Sequence, residues 1–238
     1  MRLIPKPDGK AVALEAARIV AETISTIPDV SIALPTGRTP VGMYDELVRL
    51  HHQARLDFSR VRIFTLDEYM GIPQADPRSF YSYMWTRLLG RVNAAPENIH
   101  LHSSTATDAS CCQYEAEIRA AGGIELLVAG VGRNGHIAFN EPGSPLDSRT
   151  RLVDLAESTL EGMRDEFGDE ARPRQAVTIG IGTILEARRV LLLVAGEPKK
   201  AALSGLIHGP IQSCNPVSAL RAHSNLTIIA EPDALDTA

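Results

Sequence analysis

The chain has 238 residues, 44% of them hydrophobic and 22% charged, and a formal net charge of −5. This describes a globular protein with room for a sizeable core, and no break in composition divides residues 1–238 into more than one domain. The acidic balance without a Lys/Arg block speaks against nucleic acid, the N-terminus has no signal-peptide core, no apolar run reaches membrane-spanning length, and three cysteines, two of them adjacent, make neither a disulfide framework nor a zinc site, so a reduced, cytoplasmic protein is expected.

Taken in chain order, Asp8 to Thr26 has helical spacing with Asp8 as its cap. Val30 to Leu34 is a short apolar strand that runs into Pro35-Thr36-Gly37-Arg38-Thr39-Pro40, and Val41 to His52 is a helix. Val61 to Leu66 is a strand ending at Asp67-Glu68-Tyr69. Helices follow at Ser79 to Leu89 and Ala109 to Ala121. Further strands are predicted at Ile124 to Ala129, Ala176 to Ile179, Val190 to Ala195 and Leu226 to Ala230, with a helix from Pro198 to Ile207. The stretch Glu161 to Arg174 is charged and contains Gly162, Gly168 and Pro173, which fits either a lid or a plain exposed connection.

Strands alternating with helices predict a Rossmann-like α/β fold: three layers, with a mostly parallel central sheet flanked by helices. Ligands of such sheets lie beyond the carboxyl ends of the strands, where every loop with chemical content falls in this sequence. Gly130-Val131-Gly132-Arg133-Asn134-Gly135-His136-Ile137-Ala138-Phe139-Asn140-Glu141-Pro142 crowds glycines, a histidine and a carboxylate together. A histidine exchanges a proton near neutral pH, and a nearby glutamate orients it or shares its proton work.

The loop Thr36-Gly37-Arg38-Thr39, between a strand and a helix, offers amides, hydroxyls and a charge to an anion. It lacks the Lys-Ser/Thr pair of a nucleotide-binding P-loop. Lys199 and Lys200 open a helix, a poor place for a cation unless it faces an anionic ligand. Asp67 and Glu68 end a strand, where partial burial raises a carboxyl pKa and suits a base acting on a carbon acid. Capping of the next helix is the alternative role for this pair.

Together the stretches Leu34 to Pro40, Leu66-Asp67-Glu68-Tyr69-Met70-Gly71 and Gly130 to Pro142, continued by Ser148 to Arg151 and Thr178 to Thr183, resemble the isomerising glucosamine-6-phosphate deaminases over nearly the whole chain. The resemblance implies conversion of glucosamine 6-phosphate and water to fructose 6-phosphate and ammonia, without cofactor or metal. It implies that His136 assists ring opening, Glu141 and Asn134 orient His136, and Asp67 moves a proton from C2 to C1. Thr36, Gly37, Arg38, Thr39 and Lys199 would hold the phosphate.

Three departures stand out. Asn134 occupies a position where many members have aspartate. Arg164 appears one position out of register with the family's phosphate-binding arginine. Of the residues that bind an allosteric activator in some members, Ser144 and Arg151 are matched, but Val153 replaces a lysine.

The rival readings are a 6-phosphogluconolactonase, in which the Gly-His pair is typically followed by Thr-Ala-Ser, and a non-catalytic sugar-phosphate sensor. The sequence leaves a monomer and a homo-oligomer equally open.

Overall fold

The computed structural model describes residues 1–168 and 172–235. Strand β1 (Arg2–Pro5) leads into α1 (Gly9–Thr26), which Asp8 caps by accepting from the Ala11 amide at 2.8 Å. Then come β2 (Ser31–Leu34), α2 (Val41–His52), β3 (Arg62–Thr65), β4 (Asp67–Tyr69) and α3 (Phe80–Arg87). The Ser79 hydroxyl caps α3 by accepting from the Ser82 amide. Next are β5 (Ile99–His100), α4 (Asp108–Ala120), β6 (Leu126–Gly130) and β7 (Arg151–Asp154). The chain continues through α5 (Glu157–Gly162), α6 (Arg164–Phe167), β8 (Gln175–Thr178) and α7 (Ile181–Leu185). It closes with β9 (Arg189–Val194), α8 (Lys200–His208) and β10 (Leu226–Ala230).

Among the described residues the main sheet has seven strands in the order β1-β10-β9-β6-β2-β3-β5, and every pairing in it is parallel. Side chains of a strand alternate between faces, and the core follows that rule. Ile32, Leu34, Ile63, Leu126, Val128, Leu191 and Leu193 join α1, α2 and α3 in one buried cluster. Their neighbours Ala33, Phe64, Leu127, Ala129, Leu192 and Val194 join α4, α7 and α8 in another. The predicted three-layer architecture is therefore the observed one. No helix among the described residues is long and apolar enough to cross a membrane.

The strand order creates the place for a site. From β2 the chain moves outward through β3 to β5, then returns to lay β6 on the other flank of β2. That reversal is a switch point, where the loops leaving adjacent strands diverge and open a crevice.

Two expectations need correction. The strand expected at Ala176 to Ile179 is not part of the main sheet; as β8 it is the centre of an antiparallel three-stranded sheet, β4-β8-β7. Asp67 likewise does not close the preceding strand but begins β4 of this second sheet. Glu161 to Arg174 is only partly an exposed connection, because Met163, between α5 and α6, and Phe167 of α6 are buried with Leu160 against Tyr69, Ile72 and Phe139. Residues 169–171 of that stretch lie outside the described residues. The strands β1, β4, β5 and β7 carry at most two consecutive apolar residues each, and none of them is among the predicted strands.

Candidate active site

Four neighbouring parallel strands, β9, β6, β2 and β3, deliver the predicted loops to one edge of the sheet. At about 4.8 Å between strands, their ends span roughly 14 Å. Lys199 follows β9, His136 follows β6, the Thr36–Thr39 loop follows β2, and Asp67 follows β3.

Asp67 and Glu68 are adjacent and both buried, yet they do different work. Glu68 accepts from the amides of Tyr69 (2.8 Å), Phe80 (3.0 Å) and Tyr81 (2.8 Å). It is thus the cap that ties β4 to the start of α3. Burial raises its pKa, and these three donors pull the other way. Asp67 is 8% exposed, and no described donor reaches its carboxylate. Burial, reinforced by the neighbouring Glu68 charge, pushes its carboxyl up to about 8. Donors would favour the ionised form, so their absence leaves burial to set the Asp67 carboxyl.

Strand β8 brings Asp67 and the histidine loop together. Thr178 stands opposite Asp67 in the β4–β8 pairing, and the Ile179 amide donates to the Leu66 carbonyl at 2.8 Å. On the loop side, the Phe139 amide donates to the Thr178 hydroxyl at 3.0 Å. The Asn140 side chain donates to the Ile179 carbonyl at 2.8 Å and to the Ile137 carbonyl at 2.9 Å. Arg151 donates to the Asn140 side-chain oxygen and to Ser144. This network holds Ala138 at φ +50°, an uncommon backbone for a residue with a Cβ.

The His136 imidazole lies directly over Gly132, where a Cβ would sit 2.3 Å from the ring. Its Nδ1 is 3.4 Å from Glu141 Oε2. Asn134 serves both partners: its Oδ1 accepts from the His136 amide at 3.1 Å, and its Nδ2 donates to Glu141 Oε2 at 2.7 Å. The Thr159 hydroxyl donates to Glu141 Oε1 at 2.5 Å and lies 3.5 Å from His136 Nδ1. Burial works against the Glu141 charge, but His136, Thr159 and Asn134 outweigh it and hold this carboxyl below its ordinary range. An ionised glutamate aimed at Nδ1 fixes the tautomer that leaves Nε2 for proton transfer.

The anion loop is shaped from behind. The Tyr44 hydroxyl donates to the Pro35 carbonyl and Tyr83 to the Gly37 carbonyl, so these oxygens are turned away. Gly37 sits at φ +100°, a conformation that suits glycine. The amides of Thr36, Gly37, Arg38 and Thr39 have no acceptor among the described residues, the condition of an anion nest. Lys199 ends a 3-10 turn at Glu197–Lys199 and precedes α8. Burial, then the nearby Arg133 charge, lowers its pKa. Lys199 and Arg133 thus feel each other's positive charge. Arg164 stands exposed at the start of α6. Among the described residues no cluster of His, Cys, Asp and Glu is arranged to hold a metal ion.

The model of the family described as glucosamine-6-phosphate isomerases/6-phosphogluconolactonase matches residues 7–229. The chain belongs to this family. It is 42% identical over 237 residues to the glucosamine-6-phosphate deaminase of Alkaliphilus metalliredigens, covering 98% of both chains. It is 41% identical to glucosamine-6-phosphate deaminase 1 of Giardia intestinalis, covering 93% of this chain and 85% of that one. The structure of a monomeric glucosamine-6-phosphate deaminase superposes with a TM-score of 0.94 at 37% identity, covering 98% of both chains. The 6-phosphogluconolactonase of Trypanosoma cruzi shares the fold, with a TM-score of 0.78 at 21% identity.

In this isomerase/lactonase-family chain, three residues of the site escape a reading of the sequence. Ser158 accepts from Asn134 at 3.0 Å, Thr159 holds Glu141, and Asn140 pins the histidine loop to β8. Asn140 lies inside the conspicuous His-Ile-Ala-Phe-Asn-Glu-Pro run, where its type gave a hint. Ser158 and Thr159 sit in an ordinary polar helix start, and nothing nearby in sequence points to Glu141.

Proposed function

We propose that this chain is an isomerising glucosamine-6-phosphate deaminase, converting D-glucosamine 6-phosphate and water to D-fructose 6-phosphate and ammonia. The observation that carries this reading is a buried carboxylate without donors, Asp67, at the same sheet edge as a glutamate-oriented histidine. A general base works best with a pKa near the operating pH, and the position of Asp67 at about 8 suits removal of a proton from carbon. A lactonase, which hydrolyses an ester, has no C–H bond to break and no need for such a base.

On this reading the Thr36–Thr39 amides and Lys199 hold the phosphate, using binding energy remote from the reacting carbons. His136 moves the proton of the anomeric hydroxyl to the ring oxygen as the C1–O5 bond breaks, leaving an aldehyde at C1. Asp67 then takes the C2 proton, now acidified by the adjacent carbonyl. The electron pair forms C1=C2 while O1 gains a proton, giving an enolamine. Asp67 returns its proton to C1, and the nitrogen lone pair forms C2=N. Water adds at C2 and ammonia leaves, giving the ketose.

The test is purified protein with glucosamine 6-phosphate, following ammonia and fructose 6-phosphate together. Equimolar release of both, lost in His136→Gln, supports the reading; turnover of 6-phosphogluconolactone instead would replace it. Hyperbolic kinetics are expected. Arg151 is engaged with both Ser144 and Asn140, and Val153 packs against the buried cluster that includes Leu160. Sigmoidal kinetics relieved by N-acetylglucosamine 6-phosphate would refute that expectation.

A further inference from the structure

We propose that Asn215 is a positioning residue that wedges the histidine loop against α8 and thereby sets the separation of His136 from Lys199. The inference rests on the functional reading above for what that separation serves. The segment 212–217 lies across the histidine loop and bonds it at two points, one within the loop and one just past its end. The Val217 amide donates to the Gly135 carbonyl at 2.8 Å, and the Gly143 amide donates to the Ser213 carbonyl at 2.9 Å.

Between these two points the Asn215 side chain fills the gap to α8. Its Nδ2 donates to the Ala202 carbonyl at 3.1 Å. A Cβ on Gly205 of α8 would lie 2.4 Å from Nδ2, and a Cβ on Gly135 would lie 2.0 Å from Oδ1. Each contact is far inside van der Waals distance, so the wedge fits only because both facing residues are glycines. Gly135 is further restricted by its φ of +83°.

Oδ1 is buried without a hydrogen-bond partner, a cost that a leucine of similar volume avoids. What the asparagine supplies instead is a fixed spacing. Gly135 directly precedes His136, and Lys199 directly precedes α8. Any movement of α8 relative to the histidine loop therefore changes the distance between the residue that would open the sugar ring and the residue that would hold its phosphate.

The experiment compares Asn215→Ala, Gly205→Ala and the double variant in the full chain. Three quantities are measured: kcat and KM with glucosamine 6-phosphate, the rate at which diethyl pyrocarbonate modifies His136 relative to the exposed His52, and Tm. A misplaced catalytic group costs rate far more than ground-state binding. Asn215→Ala should therefore lower kcat about tenfold, with KM moving less than threefold. His136 should be modified at least about threefold faster relative to His52 once its loop is freed.

Gly205→Ala ordinarily favours a helix, yet here its methyl group should drive Asn215 into Gly135 and lower kcat by a similar factor. Adding Asn215→Ala to Gly205→Ala should remove that further loss, so the two effects will not multiply. The proposal is overturned if Asn215→Ala keeps kcat within twofold of wild type with His136 modified at the wild-type rate, whatever happens to Tm. It is equally overturned if activity falls only in proportion to unfolded protein. Wild type that fails to turn over glucosamine 6-phosphate refutes the deaminase reading, while the His136 modification rates still decide the wedge.

Discussion

Asp67→Asn should stabilise the fold while abolishing turnover, and the stabilisation should grow with pH in a calculable way. The ordinary aspartate value is 3.8, and burial raises Asp67 to about 8. Linkage then sets the sign. The folded state resists ionisation of this group, so its effect on stability is nil below the unfolded value. A penalty appears as pH rises above about 4 and levels off above about 8.

Each unit of pKa difference is about 1.36 kcal/mol. The penalty is therefore about 2 kcal/mol at pH 5, about 4 kcal/mol at pH 7 and about 6 kcal/mol once ionisation in the fold is complete. Asparagine keeps the shape and carries no charge at any of these pH values, so it removes the whole term. Urea unfolding of both proteins from pH 5 to pH 9 measures the difference, because the pair shares every other titrating group and differs beyond Asp67 itself only where Glu68 feels its charge. The variant should gain on the wild type by roughly one proton's worth, about 1.4 kcal/mol per pH unit, up to pH 8. A difference that stays flat over that range would show that Asp67 is solvated, and would remove the case for it as a base tuned by burial.

Other substitutions probe the remaining parts of the site. Asn134→Asp places a second carboxylate 2.7 Å from Glu141 Oε2. At an effective dielectric between that of water and that of a protein surface, the repulsion is about 1.5 to 6 kcal/mol. One of the two carboxyls therefore keeps its proton to higher pH, and the acid limb of kcat/KM should move up by at least about one unit; superimposable profiles would exclude a coupled pair. Gly132→Ala puts a methyl group into the His136 ring, and kcat should fall by about 100-fold or more in protein with native circular dichroism. Lys199→Met keeps the stem and removes the charge, so kcat/KM should drop by about ten- to 150-fold, the worth of a charge-assisted hydrogen bond. A variant whose kcat/KM stays within twofold of wild type would take Lys199 out of the phosphate site.

The order of strands and helices was legible in the sequence because apolar patterning is a local property, and β2, β3, β6, β9 and β10 lie in mostly apolar stretches, Val30 to Leu34, Val61 to Leu66, Ile124 to Ala129, Val190 to Ala195 and Leu226 to Ala230. The loops after those strands announced themselves too, since glycines, hydroxyls and a histidine clustered at strand ends have few other uses. Only the folded chain could separate Asp67 from Glu68. The two carboxylates look alike in sequence, and what distinguishes them is the set of amides from α3 that Glu68 captures and Asp67 does not. The second sheet was equally invisible, because β8 carries an ordinary strand pattern that does not name its sheet, and its partners β4 and β7 carry at most two consecutive apolar residues.

The same holds for residues that act from a distance in sequence. Thr159 reaches Glu141 across 18 positions, and Asn215 reaches between Gly135 and Gly205. Sequence by itself determined which chemical groups arrive at the carboxyl edge of the sheet, since strand direction alone carries them there. Tertiary packing decided which of them are desolvated, which are neutralised by donors and how far apart they are held, because burial and hydrogen bonding depend on neighbours that chain order does not name.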